Sequence, residues 1–203
     1  MAWHLISEEI GGVLSSALPA DTASLAGGAV STGANVKESG NLWNQTPAGG
    51  LAPAGTGSGY VVALATIPAN AFNAAGRDIM ITAQGNFGAN GNTKTISLVV
   101  NATNPAVGSV VSGGTTIATT GAVTTNGSAW LIGADIIKTG SLGSNTQSAM
   151  HYAAQVGAVV SALQASQSLT LTESAPITIA LVINCATTAT DATLWNFQGE
   201  WFN

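Results

Sequence analysis

Apolar and polar residues alternate with a period of two over most of the chain from residue 56 onward. This period is typical of β-strands with one buried face, because successive side chains of a strand point to opposite sides of the sheet. The strongest runs are YVVALATI (60–67), DIMITAQG (78–85), TISLVV (95–100), AWLIGADIIK (129–138), SAMHYAAQVG (148–157), ITIALVINC (177–185) and TLWNFQGEWFN (193–203). TTIATTGAV (115–123) and SLTLTE (168–173) are weaker candidates. The last strong run would place Trp195, Phe197 and Trp201 on one face.

About eight or nine strands separated by turn residues, with no long helical pattern between them, predict an all-β fold. Eight strands in two packed sheets is the count of a jelly roll, so we expect a jelly-roll-type antiparallel β-sandwich of about eight strands. A nine-stranded immunoglobulin-type sandwich is the alternative. Cys185 is the single cysteine, however, so the chain lacks the Cys…Trp…Cys spacing of that fold.

The dipeptide Asn90-Gly91 lies between two alternating runs, and this pair is typical of a two-residue type I′ hairpin turn. Such a turn fixes the register of the flanking strands. The expected pairs are Ile81 with Val100, Ala83 with Leu98 and Gly85 with Ile96. Each pair sets an apolar or small residue opposite an apolar one, so we expect this segment to form a specified hairpin.

Residues 1–55 differ from the rest, and we expect them to form an N-terminal arm ahead of a sandwich domain at 56–203. Ser7 would cap a short helix that Pro19 ends, and residues 20–55 are Gly- and Ala-rich, which indicates an extended segment. The apolar residues of the arm are candidates for docking onto neighbouring subunits: Trp3, Leu5, Ile6, Ile10, Val13, Leu14 and Leu18. The alternative is a helix folded back over its own sheet.

The composition predicts a surface with few charges. Charged residues make up 6% of the chain, against about 25% in an ordinary soluble domain, so we expect partners to cover much of the surface. The net charge is −5, and the four cations are scattered, which argues against nucleic-acid binding. No apolar stretch is long enough to span a membrane, and the first residues lack the pattern of a secretory signal.

Candidate chemistry is sparse. A Ser-His-Asp set could be drawn from Asp135, His151 and one of many serines, but no G-x-S-x-G motif supports it. Acidic residues such as Asp135, Glu173 and Glu200 have no spacing that selects a glycosidase pair. We therefore expect no enzyme activity, no cofactor and no metal site.

Aromatic residues leave one alternative open. Trp43, Trp130 and His151 could contact a glycan in a groove or lie at a subunit interface, whereas tryptophans that share a strand face are more often core anchors. Trp43 lies in an irregular segment and is the freest of the tryptophans by sequence. His151 falls opposite Met150 and Tyr152, so we expect it at the surface or in an intersubunit contact.

The run IPANAFNAAGRDIMITAQGNFGANGNTKTISLVV (67–100) resembles a motif of structural proteins of tailed bacteriophages. In that motif IPAN-x-[LF] precedes a Gly-led strand, an A-x-G segment and an N-x-K-T-[IL]-x-L strand. The matching positions here are Ile67, Pro68, Ala69, Asn70, Phe72, Gly76, Ile79, Ile81, Ala83, Gly85, Asn92, Lys94, Thr95, Ile96 and Leu98. The closing Glu200-Trp201 also resembles the last strand of that group.

The resemblance implies a jelly-roll virion protein, usually a homotrimer, without catalytic residues. The chain lacks the long stalk of many fibres and has a compact N-terminal segment instead, which favours a capsid decoration, or cement, protein. Such a protein is made in the bacterial host cytoplasm and binds the major capsid protein at the capsid surface. The alternative is a receptor- or glycan-binding head domain of a tail fibre, whose partner is a host-surface glycan.

Overall fold

The computed structural model describes residues 39–156, 159–160 and 166–202, which form eleven strands and one short 3-10 helix. The strands are β1 (Ser39–Gln45), β2 (Gly59–Ile67), β3 (Asp78–Phe87), β4 (Lys94–Val100), β5 (Thr115–Thr119), β6 (Ala129–Lys138), β7 (Gln147–Val156), β8 (Val159–Val160), β9 (Gln167–Leu169), β10 (Ile177–Cys185) and β11 (Ala192–Phe202). The 3-10 helix, Ala189–Asp191, lies between β10 and β11. No helix in these described ranges is long and apolar enough to cross a membrane.

The strands form two antiparallel sheets that pack face to face. One sheet has the order β1-β11-β3-β6-β7-β8, with β9 also paired to β7, and the other has the order β2-β10-β4-β5. Four two-strand ribbons therefore lie side by side, β1/β2, β11/β10, β3/β4 and β6/β5, each with one strand in each sheet. This winding is that of a jelly roll, so the predicted all-β jelly-roll-type sandwich is confirmed. β7, β8 and β9 extend the first sheet beyond it.

The predicted hairpin at Asn90-Gly91 is wrong. β3 pairs with β11 and β6, whereas β4 pairs with β10 and β5, so the turn carries the chain from one sheet to the other. Neither turn residue adopts the positive φ that a type I′ turn needs. Instead the Asn90 side-chain amide donates a hydrogen bond to Asp191 Oδ1 (2.6 Å). The apolar residues predicted to pair, such as Ile81, Ala83, Ile96 and Leu98, are instead buried in the one core between the sheets, because both strands turn their apolar faces inward.

The core between the sheets is built from these inward faces. Ile79, Ile81 and Ala83 of β3 and Ile96 and Leu98 of β4 are almost completely buried. Trp130 of β6 fills the space beside Phe87, with ring centroids 6.3 Å apart. Gly85 lies under the Trp130 ring, and a Cβ atom there would overlap both that ring and the Thr193 backbone carbonyl. The period-two pattern of the sequence thus places the right faces inward.

A second apolar layer covers the outer face of the β2-β10-β4-β5 sheet. Val61, Val99, Ala180 and Val182 are buried there, although they point away from the main core. The β4–β5 loop, residues 101–114, crosses this face and bonds to the free edge of β2. The Val61 amide donates to the Ser109 carbonyl, and the Gly108 amide donates to the Val61 carbonyl (2.8 Å each). The loop therefore protects an edge strand that would otherwise offer unpaired backbone groups.

Two β-bulges change the predicted side-chain faces. The register of β11 against β3 shifts between Leu194 and Asn196, so Leu194 and Phe197 point inward and Trp195 points out, 53% exposed. The predicted common face of Trp195, Phe197 and Trp201 is therefore wrong for Trp195. A second shift, between Gly133 and Ala134 where β6 meets β7, accompanies an inward His151. One extra residue in a strand reverses the face of all residues beyond it.

The sandwich begins earlier in the chain than the predicted domain boundary at residue 56. β1 lies within the predicted arm 1–55, yet it pairs with β11 as part of the jelly roll. The Leu51 backbone bonds to Leu194 in both directions, which ties the β1–β2 loop to the same strand. The candidate docking residues Trp3, Leu5, Ile6, Ile10, Val13, Leu14 and Leu18 lie outside the described residues. Their docking role stays a prediction.

Candidate functional site

Three loops meet at one end of the sandwich and enclose a cavity of about 250 Å³. They are the β2–β3 loop (68–77), the β6–β7 loop (139–146) and the β9–β10 loop (170–176). The lining residues are Asn70, Phe72, Asn73, Leu142, Gly143, Asn145, Glu173 and Ser174. We call this space the loop-end cavity. Polar amides, one carboxylate and two apolar side chains surround it.

Backbone hydrogen bonds hold the three loops together at Glu173. The Asn70 amide donates to the Glu173 carbonyl (2.7 Å), and the Glu173 amide donates to the Asn145 side-chain oxygen (2.9 Å). Asn70 and Asn145 both have positive φ, 62° and 52°, a conformation that asparagine tolerates better than most residues. The loop-end cavity is therefore preformed by local backbone geometry.

The Glu173 carboxylate is the most buried polar group of the cavity, with 4% of the residue exposed. Its Oε1 atom accepts hydrogen bonds from Lys138 Nζ (2.5 Å) and from the Gln147 side-chain amide. Lys138 is also buried, and its Nζ donates to Ser144 Oγ (2.8 Å). A buried charge needs such a partner, because an isolated one costs several kcal/mol. The pair is electrically neutral as a unit.

Two buried acceptor atoms at the cavity have no hydrogen-bond partner among the described residues. They are Glu173 Oε2 and the Asn73 side-chain oxygen. Leaving a buried acceptor unsatisfied costs about 1–3 kcal/mol, so native proteins rarely leave one without a water or a ligand. The cavity therefore offers two unused acceptors next to the apolar side chains of Phe72 and Leu142.

A second group of polar residues covers the outer face of the larger sheet. Asp135 and Asp78 lie there, and each has a buried Oδ1 atom without a partner in the described ranges. Burial, and then the charge of Asp78, raise the pKa of Asp135 to about 6. Burial also raises the pKa of Asp78, against a backbone hydrogen bond from Ile79. No cluster of three histidine, cysteine or acidic residues that could hold a metal occurs in the described parts of the chain.

The structure does not bring the predicted groove residues together. Trp130 lies in the core with 2% exposed, and His151 is 1% exposed, so neither offers surface to a glycan in the isolated chain. Trp43 lies in β1, partly buried, with its ring 5.5 Å from that of Phe197. The expected surface position of His151 is wrong because the first half of β7 turns Gln147, Ala149 and His151 inward.

Sequence reasoning missed the residues of the loop-end cavity as a group. Asn70 was part of the phage-like motif, and Glu173 was one of several scattered acids, but nothing in their spacing joined them. The sequence suggested Trp43 as the least constrained tryptophan, but the exposed tryptophan among the described residues is Trp195, at the β11 bulge. Neither the loop convergence nor the bulge has a local sequence signal.

Comparisons with known proteins give little further guidance. No family model and no curated protein match the chain. Among solved structures, the chain is similar to one described as the CBM2 module of Lactobacillus casei BL23 phage J-1 evolved Dit. The sequences are 12% identical, the match covers 82% of this chain and 96% of that chain, and the TM-score is 0.38. A likeness this weak does not establish a shared fold.

Proposed function

We propose that the protein is a structural virion protein of a tailed phage, a decoration protein that stabilises the assembled capsid. The observation that supports this proposal is that residues of the phage-like motif hold the fold together. Phe72 is buried in the core, Gly76 has a φ of 83° just before β3, and Lys94 is buried where β4 begins. Lys94 Nζ donates to the Asn90 carbonyl (2.6 Å), which fixes the loop between the sheets.

The surface supports association with other chains. The protein carries few charges, and several apolar side chains are exposed on the described residues: Leu51, Val107, Val110, Leu142, Met150 and Trp195. The proposed unit is a homotrimeric β knob, attached to the major capsid protein through the N-terminal segment. A protein that binds only the assembled shell stabilises it by mass action.

Deletion of residues 1–38 tests the docking role. The cut leaves β1 in place, because removal of β1 would unpair one edge of the β11 strand. We expect the truncated chain to keep its β-sheet circular dichroism and its trimeric mass in sedimentation velocity. We also expect it to lose cosedimentation with phage shells that lack the protein. Normal occupancy of the truncated chain on shells would overturn the proposed docking role.

The second candidate function is that of a receptor- or glycan-binding head domain, and the loop-end cavity favours it. Such sites are concave and mostly preformed, with a few placed polar groups. A glycan array probed with the full chain tests this candidate. Binding would favour the head-domain role if the same chain also failed to cosediment with shells.

A further inference from the structure

Two buried hydrogen-bond acceptors at the loop-end cavity lack partners among the described residues. Glu173 Oε2 and the Asn73 side-chain oxygen are buried, and both need a hydrogen from outside the protein. Glu173 Oε1 is turned to Lys138 and Gln147, so Oε2 is the carboxylate atom left for the cavity that the residue lines. An occupant of this space must therefore donate hydrogen bonds at two points.

The charges around the cavity favour a neutral occupant. Lys138 neutralises Glu173, and among the described residues no other charged side chain lines the space. An anion would meet the Glu173 carboxylate oxygen and the Asn73 side-chain oxygen, with no cationic side chain among the lining residues to balance its charge. A divalent cation such as Ca²⁺ would need six to eight oxygen ligands and would lie near the buried Lys138 ammonium. Neither kind of ion fits the groups that are present.

The volume and the lining residues of the cavity narrow the class of ligands that could bind there. About 250 Å³ is below the roughly 300–1,000 Å³ of pockets for drug-sized ligands, so the space suits one small ring. Phe72 and Leu142 add apolar surface beside the two acceptors. A sugar ring matches this combination, because its hydroxyl groups donate hydrogen bonds while its C–H faces are apolar.

We propose that the loop-end cavity binds one neutral sugar unit, whose hydroxyl groups donate hydrogen bonds to Glu173 Oε2 and the Asn73 side-chain oxygen. The loops need little rearrangement for this, because the Glu173 backbone already accepts from the Asn70 amide and donates to the Asn145 side-chain oxygen. Preorganisation of this kind reduces the entropic cost of binding. The site deepens the second candidate function but does not depend on where the protein lies on a virion.

An NMR titration of the full 15N-labelled chain tests the proposal. The probes are D-glucose, D-galactose, D-mannose, L-rhamnose and N-acetyl-D-glucosamine, each added separately. We expect at least one sugar to cause saturable shifts of the Asn70, Asn145 and Glu173 amide signals. The proposal is overturned if no sugar moves these signals, or if a sugar moves only signals of the outer sheet face.

Substitutions distinguish the loss of a hydrogen-bond acceptor in the cavity from a general destabilisation of the fold. Asn73→Leu keeps the side-chain size but removes an acceptor, and we expect about tenfold weaker sugar binding from one lost hydrogen bond. Ser174→Trp would fill the cavity and abolish the shifts. Asn126→Leu, in the exposed β5–β6 loop, is the matched control and should bind as the unaltered chain does. Equal weakening by Asn73→Leu and Asn126→Leu would contradict the proposal.

Glu173 itself is a poor test position, because its removal leaves Lys138 buried without its ionic partner and destabilises the fold as a whole. Calcium chloride and methylammonium chloride serve as competing probes. Saturable shifts of the same amides by either cation, without any sugar response, would assign the site to a cation and overturn the proposal. Failure of the sugar titration leaves the capsid proposal intact, since shell cosedimentation tests that proposal separately.

Discussion

We expect the Asp135 carboxylate to destabilise the folded chain at neutral pH. It lies on β6, where the cross-strand neighbours on the same face are Met80 of β3 and Met150 of β7. These apolar side chains remove water from the carboxyl group, and its Oδ1 atom has no hydrogen-bond partner among the described residues. Burial, together with the nearby charge of Asp78, raises the pKa of Asp135 from 3.8 to about 6.

The raised pKa fixes the direction of the pH effect. In the unfolded chain Asp135 loses its proton near pH 3.8, whereas in the folded chain it keeps the proton up to about pH 6. Between these values the folded state binds more protons, so stability falls as the pH rises, and the full penalty remains above pH 6. Each pKa unit corresponds to 1.36 kcal/mol, which gives an upper limit of about 3 kcal/mol. Solvent reaches part of this face, so we expect about 1–2 kcal/mol.

Asp135→Asn tests this reasoning, because asparagine resembles the protonated carboxyl group. We expect the variant to gain about 1–2 kcal/mol of unfolding free energy near pH 7, and almost nothing below about pH 4. Urea unfolding followed by circular dichroism at several pH values measures the gain. In an Asp78→Asn background the gain should be smaller, since the charge of Asp78 is the second cause of the shift. A gain that does not vary with pH, or a loss at pH 7, would refute the argument.

Three further predictions concern packing and buried charge. Gly85→Ala should lower the unfolding free energy by about 1–3 kcal/mol in urea titrations, because its methyl group would overlap Trp130 and a backbone carbonyl. Trp43→Ala should cost about 2 kcal/mol or more by the same assay, because Trp43 packs against the core. Trp195→Ala should stay within about 0.5 kcal/mol, because Trp195 is exposed. Burial opposes ionisation of Asp191, but hydrogen bonds from Asn92, Asn90 and the Thr188 amide, with Lys94 nearby, outweigh it and lower the pKa. Acid titration should therefore show stability lost as the pH falls below about 4, and Asp191→Asn should remove that part of the loss.

The strands themselves could be read from the sequence. The runs 129–138 and 177–185 coincide with β6 and β10, because every second residue of each run is apolar and this row faces the core. The inward positions of β3 and β4 were also predicted correctly. A jelly roll followed from the strand count, since about eight strands without helices have few ways to bury their apolar faces.

The pairing of the strands was not readable in the same way. An inward-facing row of residues looks the same whether its partner is the next strand in the same sheet or a strand across the core. Asn90-Gly91 therefore suggested a hairpin, while the Asn90 and Asn92 side chains in fact bind Asp191, some hundred residues later in the chain. Long-range polar contacts of this kind stabilise the turn where the chain crosses between the sheets, and a pattern of neighbouring residues does not reveal them.

The sequence by itself determined that the chain from residue 56 onward forms an all-β domain, where its main strands lie and which residues of most strands face the core. The tertiary structure decided the bulges that expose Trp195 and bury His151, because one inserted residue is invisible to a period-two pattern. It also decided the loop-end cavity. Asn73, Asn145 and Glu173 come from three separate loops, and only the winding of the two sheets brings those loops to the same end of the sandwich.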